Sequence, residues 1–135
     1  MLFRSISELN LPENAYYTEN HEWARLDGEE ATIGITDYAQ DQLGDIVFVE
    51  MPQTGDSFGK GEEFGTVESV KAVAELYLPI GGEIVSVNSS LEESPELVNT
   101  SPHGDGWIAR IRPADPGEMN ALMSKNAYLE MLKGV

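Results

Sequence analysis

Few side chains in this sequence could do chemistry. Its 135 residues include four lysines (Lys60, Lys71, Lys125 and Lys133), two histidines and no cysteine. The absence of cysteine removes thiolate nucleophiles, disulfides and cysteine metal sites together. His21 and His103 stand apart without metal-ligand spacing and read as one surface and one loop histidine, so no metal site is expected. His103-Gly104-Asp105 has no serine in a nucleophile-elbow signature, which leaves a hydrolytic triad unsupported. Gly55, Gly59 and Gly61 precede no helical pattern, so a phosphate cradle is not expected either. The carboxylate pairs Glu29-Glu30, Glu62-Glu63 and Glu92-Glu93 are sequence neighbours that point different ways, as solubilising faces that attract basic partners.

One lysine stands out by its setting. From Phe64 the small or apolar residues Gly65 and Val67 fall on odd positions; after Lys71 the phase flips, and Ala72, Ala74, Leu76 and Leu78 fall on even ones. A single strand keeps its phase because side chains alternate with period two. A two-residue loop at Val70-Lys71 would pair 69 with 72, 67 with 74 and 65 with 76, returning every small or apolar residue to one face. The tip lacks the Asn, Asp or Gly that tight hairpins favour. A solvated lysine guarding a sheet against edge pairing is the ordinary reading. Yet only Lys71 falls at a predicted hairpin tip. A lysine offered there, between Glu68 and Glu75, can be acylated, which removes its charge and adds a flexible arm to a rigid body.

The elements that must hold this lysine are short strands. Ala31, Ile33 and Ile35 alternate with Thr32 and Gly34 after an Asp27-Gly28 turn. Ile46 to Val49 reads as a buried strand, Glu83 to Val87 and Trp107 to Ile111 as further strands, and only Pro116 to Leu132 as helical, broken near Ser124. Its stripe of Met119, Leu122, Met123, Tyr128 and Met131 reads as core packing. Gly44-Asp45-Ile46-Val47-Phe48-Val49 returns as Gly82-Glu83-Ile84-Val85-Ser86-Val87, an echo that suits a duplicated β unit folded face to face.

The chain reads as one domain over 1–135, with an N-terminal extension to about residue 20 and a C-terminal helical segment over about 116–133. Eight Lys plus Arg against 24 Asp plus Glu give a net charge of −16, which sets nucleic-acid and membrane-surface roles far behind. No apolar run approaches the roughly 20 residues of a membrane span. Residues 1–10 hold neither a secretory core nor an Arg-rich transit pattern. A bacterial cytoplasm fits this start; a trimmed mitochondrial matrix form fits less naturally.

Gly65-Thr66-Val67-Glu68-Ser69-Val70-Lys71-Ala72 resembles the lipoylation motif of the glycine cleavage system H proteins. The likeness extends through His21-Glu22-Trp23, the block from Thr32-Ile33-Gly34-Ile35-Thr36-Asp37 to Glu50, then Pro79-Ile80, Gly82 to Val85, Leu97-Val98-Asn99 and Ser101-Pro102 with Gly104 to Trp107. Several ordered blocks around one lysine are far more specific than a lone motif.

The resemblance implies a mostly β fold like the biotinyl and lipoyl carriers, a flattened barrel with a C-terminal helix. It implies lipoate in amide linkage on Lys71 within the motif of Glu68, Ser69, Val70 and Ala72. It also implies an arm-sheltering cleft drawing on Glu22, Glu75 and Asn20. Glycine decarboxylase (the P-protein), aminomethyltransferase (the T-protein), dihydrolipoamide dehydrogenase (the L-protein) and lipoate-attachment enzymes are the implied partners. Such a carrier is not itself an enzyme, and its redox sulfurs belong to the cofactor. A lipoate relay to 2-oxoacid dehydrogenases and an unmodified H-like module are the alternatives. Intact Lys71 speaks against the module, and the absence of flanking methionines speaks against a biotin carrier.

Overall fold

The Asp27-Gly28 signal nucleates a hairpin: β2 (Glu22–Asp27) and β3 (Glu30–Ile35) pair antiparallel with Asp27 opposite Glu30, leaving Gly28 and Glu29 as the loop. The computed structural model describes residues 9–134. Of the N-terminal extension, residues 1–8 lie outside the described residues. β9 (Ala109–Pro113) pairs with β3, and β8 (Gly82–Val87) with β9. Short edge strands β1 (Tyr16–Tyr17) and β5 (Ser57–Phe58) complete a six-stranded antiparallel sheet of order β1-β2-β3-β9-β8-β5. β4 (Ile46–Glu50), β6 (Glu63–Ser69) and β7 (Val73–Tyr77) make a second antiparallel sheet of order β4-β6-β7.

The sheets face each other across one core. Ala24, Ile33, Ile35, Ile84 and Ile111 from the larger meet Ile46, Val49, Phe64, Val67 and Leu76 from the smaller, all nearly solvent-free. The mostly β carrier architecture is therefore present as two stacked sheets that do not close into a continuous barrel among the described residues. The C-terminal segment breaks at Ser124 as its pattern predicts. A 3₁₀ turn over Pro116–Ala121 precedes α3 (Lys125–Lys133), whose first turn is capped by Ser124 Oγ accepting the Ala127 N–H at 3.2 Å. Leu11, Ala15, Tyr17, Trp23, Tyr128 and Leu132 form a second core that fastens α3 and the N-terminal segment to the larger sheet.

The six-residue echo has a structural counterpart. Strand register slips between Ile46 and Phe48 in β4 and between Ile84 and Ser86 in β8, so each copy carries its bulge at the same place. One copy sits in each sheet, as a face-to-face duplication requires.

Two expectations are corrected. Helix is not confined to the end: α1 (Asp37–Leu43) and α2 (Leu97–Thr100) also form. Thr36 Oγ1 caps α1 from Ala39 N–H at 3.1 Å, and Gly44 closes it with φ +80°. The segment Ile46 to Val49 is a strand but not a buried one. Its bulge breaks the alternation and leaves Val47 and Phe48 about half exposed on the outer face of the small sheet.

Candidate functional site: the lysine hairpin and its cleft

β6 and β7 pair as the phase flip requires, with Val67 opposite Ala74 and Gly65 opposite Leu76. Ser69 N–H donates to Ala72 C=O at 2.8 Å, closing a two-residue tip of Val70 and Lys71. Among the described non-glycine residues only His21 has a positive φ, so neither tip residue adopts the left-handed backbone of mirror-image hairpin turns. Side-chain and tertiary bonds hold the tip instead. Ser69 Oγ accepts the N–H of Lys71 at 3.2 Å and of Ala72 at 3.0 Å, and Val70 N–H donates to Asp45 C=O at 3.1 Å. This explains a tip without Gly or Asn. Gly65, the first residue of the motif, has a steric reason: a Cβ there would run into the carbonyl oxygen of Glu50 on β4.

Val70, Lys71, Ala72 and Val73 are all exposed. Lys60 also lies in a β-turn, where Glu62 N–H donates to Gly59 C=O at 3.1 Å, but that turn links strands of different sheets.

A cleft of about 400 Å³ opens at the other end of β7. Thr18, Glu19, Asn20 and Glu22 form one wall, Lys60 and Tyr77 to Pro79 another, and Leu122, Met123 and Met131 an apolar third. Glu22 is only 2% exposed. Its carboxylate accepts the Tyr77 N–H at 2.9 Å and the Thr18 hydroxyl at 3.1 Å. Burial outweighs these two bonds and pushes its pKa up to about 7.

His21, just before it, is held at φ +66°, a conformation uncommon for a side-chain-bearing residue. Its N–H donates to Thr18 C=O, its C=O accepts from Thr36 N–H, and its Nδ1 lies 2.8 Å from the Tyr128 hydroxyl. That hydroxyl also bonds Thr36 Oγ1 at 2.8 Å, so α3 and the cap of α1 together fix the turn that presents Glu22.

The sequence-derived site residues therefore divide. Glu22 and Asn20 meet in the cleft. Glu75 is exposed on β7 opposite Thr66 and is not among the cleft's lining residues. From Lys71 to Glu75 the extended chain spans about 13 Å. Thr18, the Tyr77 N–H and Lys60 carry no sequence signal that would have placed them here. The C-terminal stripe is only partly core: Met119, Tyr128 and Leu132 are buried, while Leu122, Met123 and Met131 line the cleft.

Neither histidine is a surface group. His21 is half-buried. His103 is 8% exposed, its Nε2 accepting the Asp37 N–H at 3.2 Å beneath the Trp23 ring, and burial lowers its pKa to about 4. Among the described residues no cluster of His, Asp and Glu could hold a metal ion.

A small double sheet thus presents one exposed lysine at a hairpin tip, with an acid-bearing cleft at the far end of the same hairpin. The chain belongs to the glycine cleavage H-protein family, whose model matches residues 15–135. It is 51% identical over 127 residues to the glycine cleavage system H protein of Halothermothrix orenii, covering 94% of this chain and 99% of the relative. The Thermus thermophilus H protein is 48% identical over 125 residues, covering 93% and 98%. The crystal structure of a glycine cleavage system H protein from Mycobacterium marinum superposes with a TM-score of 0.82 at 34% identity, covering 93% of this chain and all of the other. As a member of this lipoate-carrying family, the chain is a carrier component of the glycine cleavage system and not an enzyme. No helix among the described residues is long and apolar enough to cross a membrane.

Proposed function

We propose that Lys71 bears the lipoyl group in amide linkage, and that the chain carries the glycine-derived aminomethyl group from the P-protein to the T-protein, with the L-protein reoxidising the arm. The observation that carries this reading is the tip itself: one exposed lysine of the family motif, on a hairpin pinned by Ser69 and Asp45. When bound, the lipoyl group supplies a dithiolane that takes up the one-carbon cargo and is reduced in doing so.

The chain's own residues fit such a group. Gly44, whose φ of +80° favours glycine, lies beside the lysine stem, where a Cβ would stand in ordinary contact 3.8 Å from Lys71 Cε. Leu122, Met123 and Met131 offer apolar surface to an acyl chain, and their wall excludes water from a hydrolysable cargo. Glu22 and Asn20 receive the cargo's amine; Glu75, on the path along β7, adds negative charge outside. An ammonium arriving beside Glu22 favours the carboxylate and drives off its proton. The P-, T- and L-proteins and the lipoate-attachment enzymes are the partners of this cycle, and a bacterial cytoplasm its setting, in keeping with the bacterial relatives.

No specific observation favours the lipoate relay. Glycine–bicarbonate exchange with purified P-protein tests the reading. Lipoylated chain should support exchange and Lys71→Arg should not. Exchange by Lys71→Arg would remove Lys71 from the role, and silence from the lipoylated chain would favour the relay.

A further inference from the structure

The lysine tip is tied to the body through a corner that its own hairpin does not contain. Val70 N–H bonds the carbonyl of Asp45, midway along Gly44-Asp45-Ile46, the bend between α1 and β4. Asn99, on α2, commits its side-chain amide to that bend and to the last turn of α1 before it. Its Oδ1 accepts the Ile46 N–H at 2.8 Å, and its Nδ2 donates to Gly44 C=O at 2.8 Å and to Gln40 Oε1 at 3.0 Å. The two residues flanking Asp45 are thus clamped by one side chain, which aims the Asp45 carbonyl at the tip. Lys71 Cε passes close to the same corner, beside Gly44.

We propose that Asn99 is a positioning residue for acylation of Lys71: it touches neither the lysine nor any acyl donor, but fixes the corner that holds the tip. The inference rests on the reading of Lys71 as the attachment site. In that reaction the neutral Nζ attacks the carbonyl carbon of an activated acyl donor such as an acyl-adenylate. The C–N bond forms, the bond from acyl carbon to phosphate oxygen breaks, the adenylate leaves with that electron pair, and the nitrogen gives up one proton to water. An enzyme acting at Nζ itself has no flexible arm to absorb misplacement, so an ångström of error at the tip is felt directly.

The test compares wild type, Asn99→Ala, Asn99→Asp and the remote core variant Ile111→Val in three measurements. With a lipoate-attachment enzyme supplied with lipoate and ATP, kcat/KM for Lys71 should fall about 10- to 100-fold in Asn99→Ala. Asn99→Asp, which keeps the acceptor for Ile46 N–H but loses both donors, should fall between, and Ile111→Val should match wild type. Acetylation of Lys71 by a small active ester, which requires no docking, should not change. Amide exchange at Val70 should speed up in the Asn99 variants while Val67, in mid-strand, keeps its protection. Wild-type kcat/KM in Asn99→Ala, or unchanged protection at Val70, overturns the proposal. An equal loss in Ile111→Val also overturns it, by reducing the effect to general destabilisation. If the wild-type chain takes no acyl group on Lys71, the carrier reading itself fails; if it does and the Asn99 variants keep pace, only this inference fails.

Discussion

The carboxylate of Glu22 accepts the backbone N–H of Tyr77 at 2.9 Å, joining the start of β2 in the large sheet to the end of β7 in the small one. β7 is the strand that leads away from Lys71, so this one bond connects the cleft to the lysine hairpin. The same carboxyl is buried and has its pKa raised to about 7. Glu22 therefore closes the seam between the sheets with a carboxyl that burial shifts toward its protonated form.

Its stability signature follows from the sign of the shift. The folded pKa lies above the unfolded value of 4.5. Glu22 thus contributes fully below that value, and the contribution is lost as pH rises through about 7, a cost on the order of 3 kcal/mol. Glu22→Gln keeps an acceptor for Tyr77 without titrating. Its melting temperature, measured against wild type, should be relatively higher at pH 8 than at pH 4. A difference independent of pH would contradict the raised pKa.

The cargo role of Glu22 has a separate readout. In the arm-loaded chain, Glu22→Ala should shorten the lifetime of the aminomethyl adduct, followed by formaldehyde release. An unchanged lifetime would leave Glu22 a structural bridge only.

Ser69→Ala removes the hydroxyl that accepts two tip N–H groups. It should cost about 1–2 kcal/mol in urea unfolding and slow enzymatic acylation of Lys71. Wild-type stability would show that the turn holds itself.

His103 runs the opposite way with pH. Its folded pKa of about 4 lies below the ordinary 6.5, so the unfolded chain binds the extra proton between these values. Stability present above pH 6.5 should drain away as pH falls through 4, by an amount on the order of 3 kcal/mol. His103→Gln, which retains an acceptor for the Asp37 N–H, should lose less on acidification when urea midpoints are compared at pH 7 and 4.5. Parallel losses would contradict the role given to the buried ring.

The hairpin was legible in sequence because period two is unforgiving: Val67 and Ala74 can share a face only if the chain turns between them. What stayed hidden was held by contacts of long sequence separation. Neither the seam from Glu22 to Tyr77 nor the clamp of Asn99 on Gly44 and Ile46 leaves a periodic trace. The stripe over Met119 to Leu132 reads as core throughout, because three-and-four spacing marks apolar faces without saying which of them also line a cleft; Leu122, Met123 and Met131 pack on the cores and line it. The outer face of β4 misled in a different way, since a bulge lets Val47 and Phe48 face solvent in an apolar run. The phase flip singled out Lys71 and the resemblance pointed to Glu22, while the geometry supplies the physical reasons for their neighbours.

The most direct test of the account is the mass of the peptide containing Lys71 after expression in cells supplied with lipoate. A single lipoyl or octanoyl increment on Lys71 is the predicted result. An increment on Lys60 or Lys125 instead, or none on any lysine, would contradict it.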